Sequence, residues 1–254
     1  MRFRDVIPFF AKRSLSDLEA GDDSSRLHND SDAAATRNRR RLPKESLSLL
    51  FTGVSVLLLL WLSSFPLQHK APSFDLTIRG WFHAFASMKL TSAFVLVSRL
   101  GSWFVLLGLG MLIAILFASR SSEVRLLTIT LYGAIILSAL LKMLFHVDRP
   151  EPFFGLAIPD TYAFPSAHAL VSCCFFLLMA RLVNQRLRSR SLRYAVWILA
   201  TLLIVAIGAS RVYLGMQYPT SVLAGYAAAV VWVESARGVV QRLSSKLGDD
   251  SESA

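Results

Sequence analysis

Two cysteines in 254 residues, adjacent as Cys173 and Cys174 inside an apolar run, leave this chain without a disulfide framework or a thiolate zinc site. They read as small core residues. Carboxylates are also scarce, 17 Asp and Glu against 27 Lys and Arg, and they form no cluster that suggests a catalytic metal. No metal and no cofactor is therefore expected. The first apolar run begins only near Leu47, too late for the core of a signal peptide. No internal repeat is visible. The formal net charge of +10 could suggest a nucleic-acid partner. The basic residues, however, sit beside apolar runs, where topology signals lie, so a membrane reading replaces it.

The chain is rich in apolar blocks. Hydrophobic residues make up 54% of it, above the roughly 45–50% of soluble domains, and they fall in separate runs. Six spans follow, Leu47–Pro66, Gly101–Ser119, Leu126–His146, Ser166–Val183, Tyr194–Ser210 and Pro219–Ala236. Most approach the ~20 residues that a ~30 Å hydrocarbon core requires. Between the first two, residues 69–99 mix Phe74, Leu76, Ile78, Trp81, Phe82 and Phe85 with polar groups, the pattern of an amphipathic helix on the outer interface. The expected fold is all-α, a six-span transmembrane helix bundle with that interfacial helix on its outer face. Residues 1–45 are polar and mixed in charge, too poor in apolar surface to order themselves, and are expected as a disordered cytoplasmic tail. The membrane domain takes 46–240 and a second cytoplasmic tail takes 241–254. Basic segments at 37–44, 181–193 and 237–246 fall on one side, the cytoplasm by the positive-inside rule. The loops at 147–165 and 211–218 then face outward.

That topology collects charges from three separate stretches at one membrane boundary. Lys142 ends the third span and Arg149 follows it. Ser166 and His168 open the fourth span, and Ser210 and Arg211 end the fifth. Taken singly, Lys142 or Arg211 is a snorkelling anchor, Ser166 a helix cap and His168 an interfacial histidine. Together they suit phosphate: a lysine and two forked guanidinia around an anion, with the start of a helix offering free backbone N–H groups. Ser166 adds a hydroxyl donor, and His168 is placed to protonate a leaving oxygen.

These residues bear a resemblance. Lys142, Arg149 and Pro150 match K-x6-R-P; Pro165-Ser166-Ala167-His168 matches P-S-G-H with alanine for glycine; Ser210-Arg211, with Gln217 and Ser221, aligns with S-R-x5-H-x3-D. In this order the motifs resemble the type-2 phosphatidic acid phosphatase and vanadium haloperoxidase superfamily, in its six-span bacterial membrane form, over roughly residues 46–237. The resemblance implies a lipid phosphate or polyprenyl pyrophosphate ligand, held in an outward-facing site of a bacterial inner membrane protein. It implies that Lys142, Arg149, Ser166, Ala167, Ser210 and Arg211 bind the phosphoryl group and that His168 acts as leaving-group acid. The nucleophilic histidine of the family falls at Gln217 and its orienting aspartate at Ser221.

Gln217 is an amide and cannot carry a phosphoryl group, and Ser221 supplies no charge to orient an imidazolium. The spacing places the two one helical turn apart. Two readings follow. One is a phosphate-binding protein of the family whose hydrolysis is lost; the other is a hydrolase or phosphotransferase on a modified route. In the second, Gln217 positions a water, as a glutamine does in some GTPases, or a neighbour such as His146 or Asp148 takes over.

Overall fold

The computed structural model describes residues 44–67, 72–116, 122–157 and 159–252. The expected tail up to residue 43 lies outside them. The chain divides into a short unit, Met1–Leu49, and a helical unit, Leu50–Ala254, and the packing described below is that of the second. Among the described residues there are helices and no strands. In order they are α1 (Lys44–Leu67), α2 (Ser73–Ala84), α3 (Met88–Leu100), α4 (Trp103–Leu116), α5 (Ser122–Phe145), α6 (Ala167–Arg186), α7 (Arg190–Tyr213) and α8 (Pro219–Glu252).

Five of these contain stretches long and apolar enough to cross a membrane: Ser48–Leu67, Val124–Phe145, Ala167–Arg186, Arg190–Tyr213 and Pro219–Val240. The remaining stretch differs from the expectation of one straight span over 101–119. In its place stands a pair, α3 and α4, that meets the criterion only jointly and bends by 48° at the break. This is the geometry of a broken span or of a re-entrant loop, so the described helices make five spans, or six if the pair is one. The 69–99 stretch is accordingly two helices. Ser87 caps α3 through a side chain that accepts from Leu90 N, and Ser102 accepts from Val105 N at the start of α4. Serines compete for backbone bonds and mark such boundaries, whereas a hydropathy pattern reads straight through them. At the far end α8 continues to Glu252, past the expected end of the last span.

Inside a bilayer, helix association draws on close packing more than on transfer from water, which favours small residues at interfaces. The core follows this rule. α6 packs against α4, α5, α7 and α8, burying Ala169, Leu170, Val171, Cys173, Cys174 and Phe175. Facing it, α8 offers Ala224, Gly225, Ala228 and Ala229, all buried. Gly225 has a specific reason to lack a side chain: a Cβ there would lie 2.7 Å from the carbonyl oxygen of Ser166 and 2.9 Å from Ala169 Cβ. The start of α6 can therefore sit directly on α8. The two cysteines are free and buried in this core.

Candidate functional site

Three backbone features build the site. Ser166 caps α6, its Oγ accepting from Ala169 N at 3.5 Å, while its own N–H donates to Ser221 O at 2.9 Å. The end of α7 turns back through Gly215, which has φ +74°. There Gly215 N donates to Val212 O and Met216 N to Arg211 O, both at 3.0 Å, a paired closure that needs a left-handed residue and so selects glycine. The same glycine admits the loop between α5 and α6, since a Cβ on it would lie 2.6 Å from Phe153 N. Phe153 N donates to Leu214 O at 3.0 Å. The loop and the turn are thus one backbone-linked layer over the ends of α5, α6 and α7.

Into this layer project the cations. Lys142, on the last turn of α5, is buried and donates through Nζ to Tyr162 O. Arg149 donates from Nε to Thr161 O (2.6 Å), from Nη2 to Thr161 Oγ1 (2.7 Å) and from Nη1 to Met216 O (3.1 Å). Burial lowers the pKa of its guanidinium below the ordinary value, so the charge is kept at a desolvation cost. Arg211, 5% exposed, donates from Nη1 to Ser98 Oγ at 2.8 Å; its Nε is buried without a partner. Lys142, Arg149, Arg211 and His168 lie within electrostatic reach of one another. The structure therefore brings the four together from α5, the following loop, α6 and α7. The His168 ring is half-buried and makes no hydrogen bond among the described residues. Ser210 Oγ donates within its own helix to Ile207 O at 2.6 Å. Ala167 opens α6, half-buried beside Ser166.

Gln217 is 2% exposed and lies between an acceptor and a donor, which fixes its amide orientation. Its nitrogen donates to Ala163 O at 2.8 Å and its oxygen accepts from Arg149 Nη1 at 2.7 Å. It precedes α8, whose first residue is Pro219, so Gln217 and Ser221 are not the helical-turn pair that spacing suggests. Proline at the first helical position ends the non-helical turn there. Ser221 instead turns its carbonyl to the Ser166 N–H. Three successive carbonyls, those of Thr161, Tyr162 and Ala163, each accept from one polar side chain of the site: Arg149, Lys142 and Gln217 in turn.

Two cavities flank the cluster. One, of about 690 Å³, includes Lys142, Arg149, Asp148, Asp160, Thr161 and Tyr162 in its wall. The other, of about 340 Å³, includes Asp75, His146, Asp148, Tyr218, Thr220 and Ser221. His146, one of the neighbours expected from the sequence to serve beside Gln217, thus lines the cavity of Ser221, and Asp148 borders both.

Sequence reasoning missed the supports beneath this layer. Asp75 and Arg79, one turn apart on α2, are both buried, while Phe74, Leu76 and Trp81 on the same helix are exposed. The face of α2 turned to the protein therefore carries Asp75 and Arg79 together with Ile78 and Phe82, which pack against Ala169, Val212 and Val222. The Asp75 carboxylate accepts from Thr220 N at 2.9 Å and from Thr220 Oγ1 at 2.6 Å, capping α8 from another helix. Burial raises its pKa above the ordinary value, with the Thr220 hydrogen bonds acting the other way. Arg79 Nη2 donates to Glu151 O at 2.8 Å and Gly215 O at 3.2 Å, and its guanidinium lies 5.0 Å from the Phe153 ring and 5.5 Å from the Tyr218 ring. An acid and a base four apart in an otherwise aromatic stretch was the available signal, because ionisable groups at membrane depth seldom lack a role.

Comparison with known proteins agrees with this architecture. The chain is 32% identical over 124 residues to phosphatidylglycerophosphatase B of Bacillus subtilis, a match covering 48% of this chain and 58% of that protein. The crystal structure of a transmembrane PAP2-type phosphatidylglycerolphosphate phosphatase from Bacillus subtilis superposes with a TM-score of 0.65 at 24% identity, covering 74% of this chain and 96% of that one. Aquifex aeolicus LpxE gives 0.51 at 19% identity, over 66% and 96%. These superpositions carry the fold. Residues 123–243, from α5 into α8 and just under half of the chain, match the PAP2 superfamily, and the apolar helices make the chain an integral membrane protein with the fold of those two structures.

Proposed function

We propose that the chain binds the phosphate head group of a membrane lipid, such as phosphatidic acid or a polyprenyl phosphate or pyrophosphate, at the cluster of Lys142, Arg149, Arg211 and His168, and that it forms no phosphohistidine. The observation that carries this reading is the seat of Gln217. A buried amide occupies the family's nucleophile position, bonded at one end to the Arg149 guanidinium and at the other to Ala163 O. An amide does not attack phosphorus, and with each end engaged Gln217 is not arranged to orient a water. The cations remain, and a cluster of desolvated like charges is costly unless an anion joins it. Ser166 Oγ and the Ala167 N–H supply surrounding donors, with the first turn of α6 offering its N–H groups to the anion. Ser210, whose hydroxyl is engaged by Ile207 O, seats the neighbouring Arg211. His168 stays beside the cluster as a further donor. The site opens to the outer face of a bacterial inner membrane. Arg186, Arg188, Arg190 and Arg193, at the opposite ends of α6 and α7, support a cytoplasmic assignment for that far side.

Phosphate release from phosphatidic acid and from polyprenyl pyrophosphate by the detergent-purified chain tests the reading, together with vanadate binding. The native chain is expected to bind vanadate without turnover, and Gln217→His with Ser221→Asp to gain turnover. Native turnover that Arg211→Ala abolishes would overturn the non-catalytic reading.

A further inference from the structure

The larger cavity holds charges of both signs in separate places. Lys142 and Arg149 line it, and so do the carboxylates of Asp148 and Asp160. Both aspartates are exposed, and among the described residues neither makes a hydrogen bond or an ion pair. This is unexpected from their positions. Asp148 precedes Arg149, and Asp160 precedes Thr161, which holds that arginine through its carbonyl and hydroxyl. The cations are instead bonded to backbone carbonyls, which leaves both carboxylates free.

The walls also differ in polarity. Ala139 and Met143 of α5 form one side. Met143 is 66% exposed, with Leu140 and Leu144 exposed beside it, so this side continues the lipid-facing surface of α5. The loop at 159–162 supplies polar parts of the same wall. An amphiphile entering from the bilayer meets both.

A bare phosphate in this cavity would be drawn to Lys142 and Arg149 and repelled by two unpaired carboxylates, and a diphosphate more so. A head group carrying both signs meets partners throughout. We propose that the cavity recognises a lipid head group that carries an ammonium beside its phosphate, with Asp148 and Asp160 as the ammonium partners and Lys142 and Arg149 as the phosphate partners. This rests on the phosphate-binding reading above and narrows its ligand, ranking an amine-bearing phospholipid above the phosphatidic acid and polyprenyl phosphates named there.

The test is calorimetry on the full chain in maltoside micelles with four probes: O-phosphoethanolamine and sn-glycerol 3-phosphate, both monoesters, and short-chain phosphatidylethanolamine and phosphatidylethanol, both diesters. The amine-bearing member of a pair is expected to bind about tenfold more tightly, two half-screened ion pairs contributing about threefold each. In D148N/D160N that preference is expected to collapse to within about twofold, while sn-glycerol 3-phosphate binds more tightly than to the native chain. Preference in the lipid pair alone supports a membrane ligand, and preference in both pairs supports recognition of the head group itself. Equal affinities within each pair, or a preference that survives in D148N/D160N, overturn the inference while leaving phosphate binding intact. Failure of all four probes to bind overturns the phosphate reading and this inference with it.

Discussion

Gln217→Glu separates the two uses to which the Arg149 guanidinium can be put. The substitution preserves shape and exchanges an amide for a carboxylate at a site only 2% exposed. At the Arg149 end, where the amide oxygen accepts at 2.7 Å, a charge-assisted bond replaces a weaker one, a gain of roughly 1 kcal/mol. At the other end Ala163 O loses its donor and faces an acceptor, which costs about 1–3 kcal/mol. The two nearly offset each other, so the thermal midpoint is expected to shift by only a few degrees. Ligand binding responds very differently. A phosphate beside Arg149 would lie roughly 5 Å from the new carboxylate, and at an effective dielectric of about 20 each pair of unit charges costs roughly 3 kcal/mol. Vanadate affinity, measured calorimetrically in detergent, is therefore expected to fall by about 100-fold or more. Gln217→Ala frees one of the two N–H groups of Arg149 Nη1, while the other stays on Met216 O. It is expected to bind vanadate more tightly than the native chain while losing about 2–4 kcal/mol of stability to two broken bonds and a cavity. Gln217→Glu binding vanadate within about threefold of the native chain would refute the placement of the anion.

Other substitutions address the supports. Asp75→Ala orphans Thr220 N–H and the start of α8 and is expected to cost about 1–3 kcal/mol, read as a lower thermal midpoint, whereas Asp75→Asn retains an acceptor and most of that stability. The folded Asp75 pKa lies above its ordinary value of 3.8 because of burial, so the folded state holds this proton more tightly than the unfolded one. Its contribution is complete below about pH 3.8 and is lost as pH rises through the raised folded value; the native-minus-Asp75→Asn difference in midpoint should show that decline. Arg79→Lys cannot bridge Glu151 O and Gly215 O while stacking on two rings, and is expected to cost about 2–3 kcal/mol. Gly225→Ala drives a methyl into Ser166 O and is expected to cost about 1–3 kcal/mol and to weaken vanadate binding, because the start of α6 must shift.

Much of the helix layout was legible because hydropathy and basic flanks report on the bilayer directly. The stretches around Lys142, Arg149, His168 and Arg211 stood out because each carries polar groups where a membrane boundary was expected. The supports were not legible, and largely for a common reason: each has backbone atoms among its partners. The carbonyls of residues 161–163, Glu151 and Gly215 belong to every sequence, so no spacing announces that Lys142, Arg149 or Arg79 will find them. The break between α3 and α4 was hidden because its apolar residues satisfy a span and a bent pair equally. The start of α8 at Pro219 was visible, yet counting from 217 to 221 as one turn ignored it. Asp75 looked like the polar side of a surface helix, since amphipathicity does not say whether the polar face meets water or protein.

The carbonyls of Thr161, Tyr162 and Ala163 bear on which ligands could use this site. Each already accepts from a donor of the cluster, so an arriving anion competes with the chain's own backbone. Its apparent affinity scales with the small fraction of time that the donors are released. Dissolved anions at low concentration seldom capture that moment. A head group anchored by acyl chains in the surrounding leaflet is present at a high local concentration and meets each opening. Such an arrangement favours membrane-anchored head groups over dissolved anions by residence rather than by shape, and dissolved probes such as vanadate bind it only at concentrations that match that local supply.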